Sequence, residues 1–274
     1  MKRLVTILLF AVIILFMGCS DSRDPYDSFK GQDLHLINGD KELFWFSGMH
    51  TNNPKHIMFE DIKAQFELFN PNFVLVEGGF NKDIYKYETD ELNAKLNGES
   101  AYVAFLCGQN DIEVGSMEPP VPMQIDMLTE TYDENSILAM YILRQIYQKK
   151  RESQNVDINF MEYMISFSQY IVSEGLSFNV EDIDEDFIVN ILEPYTGFRV
   201  NNDNWKQINA HEMVYVKEGI VHSIYTDILN YRDEYSVNLI KEMFEEYNRV
   251  FVMMGADHIE NQKEELIEFF EDMR

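Results

Sequence analysis

Cysteine is almost missing from this chain: two in 274 residues, at positions 19 and 107. At most one disulfide can form, so stability has to come from a hydrophobic core of ordinary size. Basic residues are scarce too. Twenty-two lysines and arginines stand against 48 aspartates and glutamates, a formal net charge of −26. Such a surface repels polyanions, which argues against nucleic acid or anionic lipid headgroups as partners and is compatible with cation binding. For most of these carboxylates, solubility is the simpler reading. No Gly-rich phosphate loop, no Gly-x-Ser-x-Gly nucleophile elbow and no Cys/His zinc knuckle is present.

A run long enough for a comfortable membrane span is lacking as well. Leu4 to Met17 comes nearest; it follows the basic start Met1-Lys2-Arg3 and ends at Gly18-Cys19-Ser20. That is the layout of a secretory signal. The segment Leu15-Phe16-Met17-Gly18-Cys19 resembles the lipobox of bacterial lipoproteins. The resemblance implies a signal peptide over residues 1–18, lipidation of Cys19, and an exported protein tethered to a bilayer at the extracytoplasmic face. An uncleaved amino-terminal anchor is the alternative. Cleavage would remove Lys2 and Arg3 and no acid, leaving 48 acidic against 20 basic residues, or −28. Lipidation would also take Cys19, leaving Cys107 in the apolar run Ala101–Cys107 as a buried thiol.

Residues 19–32 are polar and rich in turn formers, a tether before a domain over 33–274. Asp33–Ile37, the turn Asn38-Gly39-Asp40 and Leu43–Phe46 form a hairpin signal. Pro54 to Phe69 carries Ile57, Phe59, Ile62, Phe66 and Leu68 at roughly helical spacing. Asn70-Pro71 stops that helix, and Phe73–Val76 is a short apolar strand ending at Glu77-Gly78-Gly79. Ala101–Cys107 reads as helix and Asp111–Gly115 as strand. Dense Met, Tyr, Phe and Ile predict a helical insertion at about 121–195, in which Asp182–Asp186 is the acidic first turn of a helix. Gly197 to Val216 reads as irregular or weakly β, Ile220 to Tyr247 as a long helix, Arg249–Met254 as a strand and Ile259–Arg274 as a closing helix. The expected fold is therefore α/β, a mixed central sheet flanked by helices with a helical insertion in the middle of the chain.

Against this background one pattern stands out. Two apolar strands about two hundred residues apart each end in a small residue followed three positions later by histidine. They are Ser47-Gly48-Met49-His50 and Gly255-Ala256-Asp257-His258. Ligands collect at the carboxyl ends of buried strands in α/β folds. Imidazole is the commonest neutral metal ligand, so two such histidines point to one shared site. Glu77 stands at a third strand end, where a carboxylate can ligate a metal or take a proton from metal-bound water. Isolated histidines at strand ends are more often structural, and a loop acid more often caps a helix. His35 reads as structural, and His56, His211 and His222 as surface residues.

Together these residues resemble the TraB/PrgY–TIKI superfamily, related in fold to erythromycin esterase-like and ChaN-like proteins. The matching positions are Ser47-Gly48-Met49-His50, Glu77, Arg232-Asp233 and Gly255-Ala256-Asp257-His258. Ser47 replaces the family's usual glycine, with Gly48 directly after it. The resemblance implies a divalent metal held by His50, His258 and Glu77, of a kind (Mn, Co, Zn or Fe) that the residues do not distinguish. It implies Glu77 and Arg232 as catalytic groups, and Asp233, Glu118 and Asp257 as second-shell or substrate contacts. Three functions follow: a metal-dependent hydrolase acting on a peptide or small molecule, a lipoprotein capturing haem or iron, and a non-catalytic protein that sequesters a peptide.

Overall fold

The computed structural model describes residues 32–51, 53–78, 90–152 and 159–273. The expected signal peptide, Cys19, most of the tether, Gly79 and the carboxyl-terminal residue lie outside them. Among the described residues no helix is long and apolar enough to cross a membrane.

Strands β1 (Leu34–Asn38) and β2 (Lys41–Gly48) form the predicted hairpin. Its tip is Gly39-Asp40, with Gly39 at φ 62°, a left-handed conformation that glycine adopts without steric cost. Helix α1 (Met58–Phe69) leads to β3 (Phe73–Val76), and α2 (Glu91–Leu96) and α3 (Glu99–Asn110) lead to β4 (Glu113–Ser116). The helical insertion holds α4 (Val121–Thr129), α5 (Glu134–Glu152), α6 (Phe160–Ser173) and α7 (Glu185–Thr196). Helix α8 (Ile220–Glu246) returns the chain to β5 (Arg249–Gly255), and α9 (Ala256–Asp272) follows.

The strands join in the order β1-β2-β5-β3-β4. β2, β5, β3 and β4 run parallel and β1 is antiparallel, so the sheet is mixed as expected. β2, β3 and β5 are buried on both faces and read as near-continuous apolar runs, as parallel strands covered by helices must. Phe44, Phe46, Val74, Val76, Phe251 and Met253 face α1 and α3. Leu43, Trp45, Leu75, Val250, Val252 and Met254 face α9 and the second half of α8. Each fully buried aromatic or branched side chain in these layers contributes about 1.5–3 kcal/mol.

The insertion has a core of its own, which takes in α4–α7, Val200 to Val214 and the first half of α8 through Val221, Ile224 and Ile228. Its packing therefore extends past the predicted limit of 195. At 27 residues, α8 is about 40 Å long and spans both bodies. Arg232 and Asp233 lie near its middle, where the two cores meet.

Four local expectations need correction. Helix α1 starts at Met58 rather than Pro54, and its buried stripe is Met58, Phe59, Ile62, Phe66 and Phe69. Ile57 and Leu68 are exposed, because the true phase of the helix turns them outward. His56 precedes α1, where its Nδ1 accepts from the Met58 N–H. Gly197 to Val216 contains no strand; a 3-10 turn at Trp205–Gln207 and a π-helical turn at Glu212–Val216 pack onto the insertion. Finally, α9 begins at Ala256, three residues earlier than expected, so His258 sits in the first turn of a helix. Of the acidic segment, Glu185 and Asp186 form the first turn of α7 as predicted and Asp184 caps it by accepting from the Phe187 N–H, while Asp182 ends a separate 3-10 turn. Cys107 is buried, and burial pushes its thiol far up from the ordinary range, which makes it unreactive.

Candidate functional site

The parallel register brings four strand ends to one edge of the sheet. Gly48 pairs with Gly255, so the glycines of the two histidine motifs lie side by side on β2 and β5. Glu77 continues the β3–β5 ladder, its N–H donating to Met253 O at 2.8 Å. This sets the Glu77 carboxylate directly over the end of β5, where its Oε2 accepts from the Gly255 N–H at 2.8 Å. A methyl group on Gly255 would lie 3.4 Å from that oxygen, 3.5 Å from His50 Nε2 and 3.8 Å from His258 Cδ2. Gly255 is the floor on which the three side chains meet.

His258 is delivered by a helix. The first turn of α9 turns its ring back over the sheet, and Nδ1 lies 2.7 Å from Asp233 Oδ1 on α8. Asp233 also accepts from Gln262 at 2.8 Å and Asn261 at 3.0 Å. Burial pushes the Asp233 carboxyl up, but hydrogen bonds from His258, Gln262 and Asn261 outweigh it and hold the group below the ordinary range. An ionised carboxylate only accepts, which places an imidazole proton on Nδ1 and turns Nε2 toward Glu77 Oε1 at 3.9 Å.

His50 is delivered by a loop. It stands at φ 53°, a left-handed conformation that costs a non-glycine residue about 1–2 kcal/mol. The carboxylate of Glu99, at the start of α3, holds it there by accepting from the N–H groups of His50 at 2.5 Å and Thr51 at 3.1 Å. The same carboxylate lies 3.1 Å from His50 Nδ1, leaving Nε2 3.6 Å from Glu77 Oε2. The Glu99 hydrogen bond is the main reason that the His50 pKa is raised to about 9; desolvation opposes it, the charges of Glu77 and Glu99 add to it, and Arg232 subtracts. Burial pushes Glu99 itself up, but the bonds from His50 and the backbone win and lower it. Glu99 was not singled out in the sequence. Its signal there, an acid after a glycine at a helix start, is too common to be read.

The remaining candidates divide. Arg232, only 9% exposed, bonds Glu118 through Nη2, which also lies 3.6 Å from Glu77 Oε1. Its Nε is buried with no hydrogen-bond partner among the described residues. Glu118 is fixed by its own N–H, which donates to Ser116 Oγ at 3.0 Å. The partners of Arg232 and Asp233, Glu118 and Glu77 for the first and His258 for the second, lie outside α8. Asp257, in contrast, is exposed and borders a cavity of about 330 Å³ that His50, Gly255 and His258 also line. It makes no hydrogen bond with the cluster among the described residues. Ser47 is buried at the end of β2, its N–H donating to Asp33 at 2.9 Å. The tight position is Gly48 rather than Ser47, since a methyl there would meet Met253 Cε at 2.6 Å and that side-chain tip would have to shift.

His50, Glu77, Glu99, Glu118 and Arg232 line one open crevice of about 630 Å³ together with Arg144 and Gln148 of α5; His258 and Gly255 line the adjoining cavity, and His50 borders both. Against known proteins, no family model, no curated protein and no solved structure matches this chain. The site has to be judged on its own donors. Two imidazoles with Nδ1 held by carboxylates and Nε2 turned to a third carboxylate suit a divalent cation in kind, which would have to displace the proton that a pKa of about 9 leaves on His50 Nε2 near neutral pH. Among the described residues, no three His, Cys, Asp or Glu side chains are already drawn together as a ligand cluster.

Proposed function

We propose that this crevice is the site of a hydrolase of the TraB/TIKI type, acting on a peptide or small molecule at the membrane to which Cys19 tethers the chain. His50, His258 and Glu77 would hold the divalent cation. When bound, the cation would supply Lewis acidity and a water made acidic enough to attack near neutral pH. The chain's own residues would do the rest. Asp233 and Glu99 fix which imidazole nitrogen faces Glu77. Gly255 and Arg232 fix the two Glu77 oxygens, which makes Glu77 the group able to take a proton from an attacking water. Arg232, held by Glu118, offers positive charge where a substrate carbonyl oxygen would turn anionic. The single observation that carries this reading is the matched pair of histidines, each with Nδ1 on a carboxylate and Nε2 toward a different oxygen of Glu77.

Elemental analysis and titration with Mn, Co and Zn salts test it. Wild-type protein should take up one divalent cation per chain, and the double variant His50→Ala/His258→Ala should take up none and hydrolyse no ester or peptide substrate. Undiminished cation uptake in the double variant would sink the proposal.

A second reading is capture of haem or iron without turnover. The specific observation in its favour is the His50 ring, whose side chain is 68% exposed and thus open to a large planar ligand. Haem titration should then give a Soret shift that His50→Ala abolishes. An absent or unaffected shift removes this alternative.

A further inference from the structure

The crevice contains three carboxylates, and each is already engaged. Glu99 is taken by His50 and two backbone N–H groups, and Glu77 and Glu118 by Arg232. The far wall differs. Arg144 lies there half-buried on α5, and among the described residues it has no carboxylate partner although acids outnumber bases 48 to 22 in the chain. Its guanidinium lies near the hydroxyls of Tyr141 and Tyr215, phenols that burial keeps neutral. Gln148 stands one helical turn further on, facing the same crevice with an amide that can donate.

We propose that Arg144 and Gln148 anchor a carboxylate on the substrate, as carried by the carboxyl-terminal end of a peptide or by an acidic side chain. The role as a substrate anchor rests on the hydrolytic reading above; the anion site itself does not. The planar fork of Arg144 beside a single neutral donor suits the two oxygens of a carboxylate, whereas a phosphate dianion would bring a second charge toward Glu77, Glu99 and Glu118.

Two matched chromogenic probes test this on the full-length protein: the 4-nitrophenyl monoester of glutaric acid, and the same ester with its free acid converted to a neutral amide. Wild type should prefer the acid probe in kcat/KM by about tenfold or more, as a charge-assisted hydrogen bond implies. Arg144→Gln should bring the ratio near one, and Arg144→Lys should keep part of it. The ratio is taken within each variant, so a general loss of activity cancels. No preference in wild type, or one that survives in Arg144→Gln, overturns the proposal. If wild type hydrolyses neither probe, the hydrolytic reading fails, and calorimetry decides on the anion site alone. Monomethyl glutarate should then bind wild type and not Arg144→Gln, and its neutral amide should bind neither. Absent binding, equal binding to the variant, or tighter binding of inorganic phosphate overturns the assignment.

Discussion

His258 and His50 both turn Nε2 toward Glu77, yet His258 rides on the first turn of a helix with a side chain 15% exposed, whereas His50 stands on a left-handed loop residue and is 68% exposed. In the first arm, secondary structure sets the direction of the ring and Asp233 only fixes its tautomer and rotation. In the second, nothing local favours the conformation, and one carboxylate from a distant helix supplies both the backbone anchor and the ring contact. The difference separates a ligand placed by regular structure from one placed by a tertiary clamp.

The sharpest way to break this contrast is to remove each supporting carboxylate in turn. Removing a carboxylate that holds the far nitrogen of a ligating histidine costs about 10–100-fold in metal affinity. Glu99→Ala should fall at the upper end, because His50 loses its backbone anchor together with its ring partner. Asp233→Asn should fall at the lower end, because α9 still points His258 at Glu77. Calorimetric titration with Zn or Co ions measures both, and equal losses would erase the distinction.

A smaller effect separates the two paired glycines. Gly255→Ala places a methyl between the arms at ordinary contact distance, so cation uptake should drop while the melting temperature stays nearly unchanged. Gly48→Ala drives its methyl into the tip of Met253, a flexible side-chain end that has to shift within the packed layer beneath, and should cost on the order of 1 kcal/mol of stability. Thermal melts paired with titrations distinguish them. The smallest effect is on pH. With its pKa raised from 6.5 to about 9, His50 contributes stability that is complete below pH 6.5 and is lost as pH rises through about 9. Because the ring is largely exposed, the amount should be under about 1 kcal/mol. Urea unfolding at pH 6 and pH 9.5 should show the slope in wild type and not in His50→Asn, a residue that also tolerates the left-handed backbone.

The same contrast accounts for what was legible in the sequence. His50, Glu77 and His258 stand at the ends of apolar strands, and an apolar run with a glycine at its end can be read without neighbours. Arg232-Asp233 was found only through family resemblance, since nothing in its surroundings on α8 marks the point where two cores meet. Glu99 was missed because its role exists only after α3 packs beside β2. Asp257 borders the same cavity as the two histidines but makes no hydrogen bond with them among the described residues, for a reason of phase. With α9 starting at Ala256, successive residues turn about 100° around the axis, so the histidine faces the sheet and its neighbour faces solvent. The weak β reading of Gly197 to Val216 failed because aromatic and branched residues there serve a helical core through a π turn, and local propensity does not distinguish the two.

The place of β5 in the sheet has a consequence for how the protein comes into being. It is the last strand in the chain and the middle strand in space, lying between β2 and β3. Until residues 249–255 arrive, β2 and β3 each hold an unpaired edge of apolar backbone, the kind of surface that recruits other chains. The meeting point of His50, Glu77 and His258 is equally late, since it lies over Gly255. An emerging chain would therefore have to keep its two halves apart and inert for most of its synthesis, then acquire sheet and site in one closing step.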